Sequence, residues 1–297
     1  MHITLTGGSG FVGQAITAAL IEKEHQVTVI ARSSPKHAPS TGNLDHISAD
    51  TTREGPWQES VAQSDGVINL TGLNIFRYWT PENKKNIYHS RILTTRNIVD
   101  AIEGDRKTIL LNASAAGYYG DGEEDVLTED APPGNDFLAK VCVDWEREAL
   151  QAASKNTRVV AMRFGVVLGK NGGALSKMAI PFKLFLGGPI GSGRQWFPWI
   201  HMDDLVGAAL LALEDDRVEG PVNFTAPGQV RQKEFAQALG KALNRPAVMP
   251  FPSFAVRLLM GELGKAFLSS QRAVPKKLEG HDFTFSFPDL ASALKQC

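Results

Sequence analysis

The stretch ITLTGGSGFVGQAI, residues 3–16, decides how the rest of this 297-residue chain is read. HITLT (2–6) is a short β-rich run, Gly7-Gly8-Ser9-Gly10 breaks it, and from Phe11 a helical pattern runs to about residue 23. Glycine permits the tight turn and lets backbone approach a pyrophosphate closely, while the helix start offers amide hydrogens and a positive dipole end to that anion. Glycines alone are a weak signal; set between a first strand and a first helix they point to a nucleotide. A glycine turn without ligand is the alternative reading.

Outward from this unit, β-rich runs recur at 26–31 (QVTVIA), 46–49, 66–71 (GVINLT), 108–113 (TILLNA) and 158–164 (RVVAMRF). Helical patterns lie near 57–63, 81–103 and 136–154, the second opening on Thr80-Pro81-Glu82, a cap followed by proline at the first helical position. Such alternation predicts an α/β fold of Rossmann type, a doubly wound parallel sheet with a smaller C-terminal lobe on the substrate side. Residues 165–199 break the rhythm and read as a loop-rich excursion; a helix resumes at HMDDLVGAALLALED (201–215), followed by the strand PVNFTA. Residues 230–244 are amphipathic, and a further helix is expected at 253–267. The expected organisation is a nucleotide-binding domain over 1–168 completed by 200–228, an insertion over 169–199, and a small domain over 229–297.

Composition narrows the partners. Lysine plus arginine number 31 against 32 for aspartate plus glutamate, so no charge excess recommends nucleic acid or an anionic membrane. The two cysteines, Cys142 and Cys297, have no metal-ligand spacing, and no metal site or disulfide framework is expected. No apolar run approaches the roughly 20 residues of a membrane span. The first apolar run turns at once into the glycine loop, leaving no room for a leader, and a cytoplasmic location is expected.

The end of the second strand reports on the dinucleotide. NAD sites usually place an acid there, whereas NADP sites present an arginine to the extra phosphate. Here QVTVIA runs into Arg32-Ser33-Ser34, with Lys36 and His37 close behind, so NADP(H) is expected in preference to NAD(H). A solvated basic loop is the alternative.

TGGSGFVG, NLTG (69–72), HSRILTTRNIVDAI (89–102), NASAAGYYG (112–120) and the lysine of DFLAK together resemble the extended short-chain dehydrogenase/reductase superfamily. TEDAPPGNDFLAKVCVDWE (128–146), GVVLGKNGGALSKM (165–178) and LGGPIGSGRQWFPWIHMDDL (186–205) are similar to its atypical, sugar-epimerase-like "epimerase family" branch, and the C-terminal segment resembles that branch's small closing domain. For the cofactor, the resemblance implies a phosphate loop of Gly7, Ser9, Gly10 and Gly13, with Phe11 and Val12 beneath the pyrophosphate. It implies Asp50 near the adenine, Leu70 and Gly72 beside the ribose, and Arg77 within reach of a phosphate. Lys140 would hold the nicotinamide ribose, and Phe164 to Val166 would flank the nicotinamide.

The catalytic positions do not carry over. Active members hold the reacting oxygen with a serine or threonine and the tyrosine of Tyr-x-x-x-Lys; here the resemblance puts Ala115 at the first position and Asp136 at the second. Ser114 is one residue away, and successive strand residues point to opposite faces. A free aspartate has a pKa of about 3.9 against about 10 for tyrosine, so an aspartate at this position is a credible base and a poor acid. The alternative is a first-turn acid that caps its helix and pairs with Lys140, four residues on. Tyr118 and Tyr119, just past the fifth strand, could supply a phenol or pack the loop.

On the substrate side, Phe197-Pro198 stands where nucleotide-sugar enzymes carry a diphosphate-binding arginine. Arg194 is a substitute, and Trp196 and Trp199 suit an aromatic or sugar face or interlobe packing. His201 before Asp203-Asp204 reads as a helix cap. Two functions stay open. One is an NADP(H)-dependent epimerase or reductase acting on a small, sugar-like substrate. The other is a cofactor-binding regulatory or protein-interaction module without turnover, related to division as the resemblance to a plant relative implies. A homodimer through the helices at 81–103 and 136–154 is implied by resemblance alone.

Overall fold

Strand runs that are apolar on both faces need cover on both sides, and the helices between them supply it. The computed structural model describes residues 1–32, 42–170 and 172–297; Ser33, Ser34, Lys36 and His37 lie outside them. Strands β1 (His2–Thr6), β2 (Gln26–Ala31), β3 (Leu44–Ser48), β4 (Gly66–Asn69) and β5 (Thr108–Ala115) are followed by a short β6 (Val126–Leu127), then β7 (Thr157–Phe164), β8 (Val166–Leu168), β9 (Trp196–Phe197), β10 (Trp199–His201), β11 (Gly220–Phe224), β12 (Val230–Arg231) and β13 (Arg272–Ala273). Seven of them form one parallel sheet in the order β11-β7-β5-β4-β1-β2-β3. Between β1 and β4 the direction of winding reverses, which opens a crevice at the carboxyl ends of those strands.

Helices α1 (Phe11–Glu22), α2 (Gln58–Ala62), α3 (Pro81–Ala101), α4 (Phe137–Leu150), α5 (Gly173–Lys183), α6 (Met202–Glu214) and α7 (Gln232–Ala242) precede four C-terminal ones: α8 (Ser253–Met260), α9 (Glu262–Leu268), α10 (Lys276–Gly280) and α11 (Leu290–Gln296). On one sheet face, Ile16 and Leu20 of α1 and Leu205 and Ala209 of α6 pack on Ile3, Leu5 and Val160. On the other, Val61, Ile98 and Ala149 from α2, α3 and α4 pack on Ile30, Val67 and Leu110. A third core joins Leu168 and Trp199 to Phe235, Leu239, Leu290 and Leu294, and the Asp204 carboxylate accepts from the amides of Ser286 and Phe287 at 2.7 and 3.0 Å, tying the tail to the start of α6. No helix among the described residues is long and apolar enough to cross a membrane.

Two elements differ from expectation. The excursion over 165–199 contains α5, whose glycine-flanked, proline-bearing sequence hides a helical stripe: Leu175, Ala179 and Phe182 are buried. The helix expected over 253–267 is two helices, because Gly261 adopts φ +58° and the chain turns there.

Candidate functional site

At the crevice, β1 enters the glycine turn and α1 leaves it. Gly7 sits at φ +76°, and a Cβ there would lie 2.9 Å from the Leu70 carbonyl; a Cβ on Gly13 would lie 2.5 Å from the Gly7 oxygen. Both contacts are with backbone, so only glycine lets α1 come this close to the strands. Gly10 is the N-cap of α1 with no side-chain cap, leaving the first-turn amides to a ligand.

Two adjoining cavities run along the strand ends. The first, about 280 Å³, is lined by Gly7, Ser9, Gly10, Arg32, Asp50 and Leu70. The second, about 740 Å³, is lined by Phe11, Val12, Ser114, Ala115, Phe164 and Val166, among others. Gly72 and Leu73 line both, making one elongated crevice. Arg32 is exposed at the rim. The Asp50 carboxylate accepts from the Thr52 hydroxyl (2.7 Å) and amide (3.1 Å), and the hydroxyl bond is the main cause that holds its pKa below the usual carboxylate value. Arg77 lies outside the crevice lining: its Nε donates to the Asn74 carbonyl at 3.1 Å, and it lines an adjoining apolar groove.

The NDFLAK segment is placed by its helix start. Asp136 is exposed and extended (φ −80°, ψ 179°) as the N-cap of α4, and its Oδ1 accepts from the Ala139 amide at 2.9 Å. Asp136 reaches the crevice rim; Lys140 is exposed and does not line the crevice. A cap residue has not yet entered the helical spiral, so spacing of four does not put these two side chains on one face. The face of α4 turned inward carries Leu138, which lines the cleft, and, one turn later, buried Cys142 beside Ser114 and Arg91. Burial first, then the nearby Glu146, pushes the Cys142 thiol up to about 12.

The hydroxyl candidates are engaged in packing. Ser114 Oγ donates to Glu146 Oε1 at 2.6 Å, and Glu146 is bound through both oxygens by Arg163 at 2.9 and 2.8 Å. Tyr119, 3% exposed, donates to Asn223 Oδ1 (2.7 Å) and accepts from Arg163 Nη1 (2.9 Å). Burial pushes its phenol up to about 12. The Tyr118 ring lies under the Arg163 guanidinium at 3.5 Å.

The sequence reading missed Arg91, on α3. Its Nη1 donates to the carbonyls of Leu73 and Ile87 at 3.1 and 3.0 Å, its Cζ stands 5.0 Å from the Trp145 ring centroid, and it lines the second cavity. Burial lowers its pKa to about 10, which leaves it charged at neutral pH. On the substrate side, Trp196 lines the cleft, and the guanidinium carbons of Arg231 and Arg272 lie 4.0 and 4.5 Å from its ring centroid. Arg194 is exposed and outside the cleft lining. Trp199 is a core residue, 1% exposed, whose indole donates to the Gly228 carbonyl at 2.8 Å. His201 caps α6 by accepting from the Asp203 amide at 3.2 Å.

Known proteins share this whole architecture. Residues 3–224 match the NAD dependent epimerase/dehydratase family, and residues 251–297 match a domain of unknown function, DUF1731. The chain is 41% identical over 299 residues to the chloroplastic epimerase family protein SDR39U1 homolog of Arabidopsis thaliana, covering 99% of this chain and 86% of that protein. It is 39% identical to mouse epimerase family protein SDR39U1, over 99% of both chains. The crystal structure of human SDR39U1 (isoform 2) with NADPH superposes with a TM-score of 0.87 at 35% identity, over 99% of this chain and 98% of that one. MoeE5 with UDP-glucuronic acid and NAD shares the fold at 21% identity and a TM-score of 0.79, covering 100% of this chain and 97% of that one. The glycine-loop crevice, the seven-stranded sheet and the appended C-terminal domain thus place this chain in the NAD dependent epimerase/dehydratase family, among the SDR39U1-type epimerase family proteins of the extended short-chain dehydrogenase/reductase superfamily.

Proposed function

We propose that this chain binds NADP(H) in preference to NAD(H) and acts as a reductase-like or epimerase-like protein on a small-molecule substrate. The observation that carries this reading is the single crevice, in which Gly72 and Leu73 join the cavity of the glycine loop and Arg32 to the cleft of Ser114 and Phe164. The human relative crystallised with NADPH supports it. The cradle fits a pyrophosphate because a side chain at Gly7 or Gly13 would collide with backbone. Gly7, Ser9, Gly10 and the start of α1 would hold the pyrophosphate, with Phe11 and Val12 beside it, Arg32 on the extra phosphate and Asp50 near the adenine. Leu70 and Gly72 would flank the ribose, and Phe164 and Val166 the nicotinamide, where the bound cofactor gives or takes a hydride.

Leu138, on the wall of the cleft, has no proton to give, and the buried Cys142 thiol behind it stays protonated at neutral pH. Asp136 accepts an amide hydrogen and serves as a base only.

A second reading is favoured by the engagement of Ser114, Tyr118 and Tyr119 in the packing around Glu146 and Arg163. It is a cofactor-binding protein with little turnover, whose NADP(H) occupancy alters contact with a protein partner. The test is titration with NADPH and NADH, followed by absorbance measurements against a panel of carbonyl compounds and sugars. Turnover supports the first reading, binding without turnover supports the second, and failure to bind NADPH removes both.

A further inference from the structure

The cleft beyond the nicotinamide position has two features that the cofactor reading does not use. The first is Arg91. Its Nη1 is tied to two backbone carbonyls, whereas Nε and Nη2 donate to no described residue, and it forms no salt bridge among the described residues. A partly buried guanidinium without an acid is costly unless a ligand completes it. Of the charged residues lining this cleft, Arg91 and Lys177 are basic and Asp136 is acidic, and the Asp136 carboxylate already accepts the Ala139 amide. The excess charge is positive.

The second feature is an apolar groove of about 680 Å³ between α5 and the pair α8–α9, a volume suited to a small-molecule ligand. Leu184, Leu186 and Leu259 stand 63%, 59% and 64% exposed along it, and contiguous apolar exposure of this kind marks a binding surface. The groove is continuous with the cleft, because Phe76, Lys177, Met178, Leu263 and Phe267 line both. At the junction, the rings of Phe76 and Phe267 stack at 5.9 Å, and Lys177 Nζ lies 5.0 Å from the Phe76 ring centroid. The passage thus runs from Arg91 at the cofactor end, past Lys177 at the junction, into a mostly apolar channel that has Arg77 on its wall.

We propose that the substrate of this site is an amphipathic small-molecule anion, its carboxylate against Arg91 and its apolar tail running past Phe76 and Phe267 into the α5–α8 groove. This rests on the cofactor reading above for where the reacting carbon lies; the binding claim itself does not. Sugar nucleotides fit the passage poorly, since its outer half is lined mostly by apolar side chains.

The experiment is isothermal titration calorimetry of decanoate, decanol and hexanoate into the full-length protein, with and without saturating NADP⁺. The expected result is one-to-one decanoate binding, tighter than decanol by about tenfold, the worth of one charge-assisted hydrogen bond. Affinity should fall roughly tenfold for each two carbons removed. Arg91→Gln should abolish the preference for decanoate over decanol, and Arg91→Lys should keep part of it. Leu259→Glu, on an exposed helix face remote from the glycine loop, should abolish binding of both chains while leaving NADPH affinity unchanged. Equal affinity for decanoate and decanol in the wild type, or an unchanged preference in a folded Arg91→Gln, overturns the proposal. So does a wild-type protein that binds neither chain, including one whose groove is covered by a second copy and which Leu259→Glu converts to a monomer in sedimentation. Loss of NADPH binding in the wild type would instead sink the cofactor reading, and the titration without cofactor separates the two failures.

Discussion

Removing the Glu146 carboxylate should cost this protein more stability than any substitution in the exposed part of the site. Glu146 and Arg163 are 6% and 2% exposed, and Glu146→Ala deletes three hydrogen bonds, from Ser114 Oγ at 2.6 Å and from Arg163 Nε and Nη2 at 2.9 and 2.8 Å. Burial alone disfavours the Arg163 charge; Glu146 outweighs it and raises the guanidinium above its ordinary value. After the substitution Arg163 keeps only neutral partners, the Tyr119 hydroxyl, the Glu129 carbonyl and the Tyr118 ring. Breaking a buried pair from one side costs about 3–5 kcal/mol, because a charge is left buried and uncompensated. At about 2 °C per kcal/mol for a chain of this size, the melting temperature should fall by roughly 6–10 °C. Removing both charges, as in Glu146→Leu with Arg163→Met, should recover most of that loss. Calorimetric melting of Glu146→Leu, Arg163→Met and the double variant closes the cycle. A Glu146→Ala protein within about 1 kcal/mol of wild type, or a double variant as unstable as the single, would refute the assignment of this pair as a buried, mutually dependent unit.

Three further expectations concern the site. Arg32→Asp should weaken NADPH by about tenfold to a hundredfold, the loss of one or two charge-assisted hydrogen bonds at an exposed position, with little effect on NADH; equal losses in a fluorescence titration would remove Arg32 from cofactor selection. Asp136→Ala should destabilise α4 by about 0.5–2 kcal/mol as a lost N-cap, and Asp136→Asn, which can still cap, should separate stability from any loss of turnover. The Tyr119 phenol, raised to about 12 from an ordinary 10, should contribute stability that is complete below pH about 10 and lost as pH rises through about 12. Ultraviolet difference titration should show Tyr119 ionising late, and Tyr119→Phe should delete that step without changing NADPH affinity.

The glycine loop and the NDFLAK segment differ in how much of their placement is local. The glycine loop is one contiguous strand-turn-helix unit, and its chemistry follows from which residues tolerate its turns. The inward face of α4 depends on where the helix starts. Because Asp136 is a cap and Phe137 the first helical residue, the residues brought to the cleft are Leu138 and, behind it, Cys142, and Lys140 is left in solvent. A four-residue spacing holds no information about that rotation. Arg91 was equally hidden, since one arginine in an amphipathic helix looks like a solvated charge until the packing of α3 against β4 and β5 turns it inward. Trp199 carried the opposite ambiguity: an aromatic in a glycine-rich run suits a ligand or a core, and the third core claimed it.

By itself the sequence determined the alternating α/β order, the nucleotide loop, the family and the basic residue at the end of β2, all of which rest on local periodicity or on contiguous motifs. Tertiary structure alone decided which hydroxyls are locked into the Glu146–Arg163 network, which face of α4 meets the crevice, and that α5, α8 and α9 enclose an apolar groove continuous with it. Those facts depend on contacts between segments far apart in the chain, where burial and the pairing of charge are set by neighbours that no local pattern names.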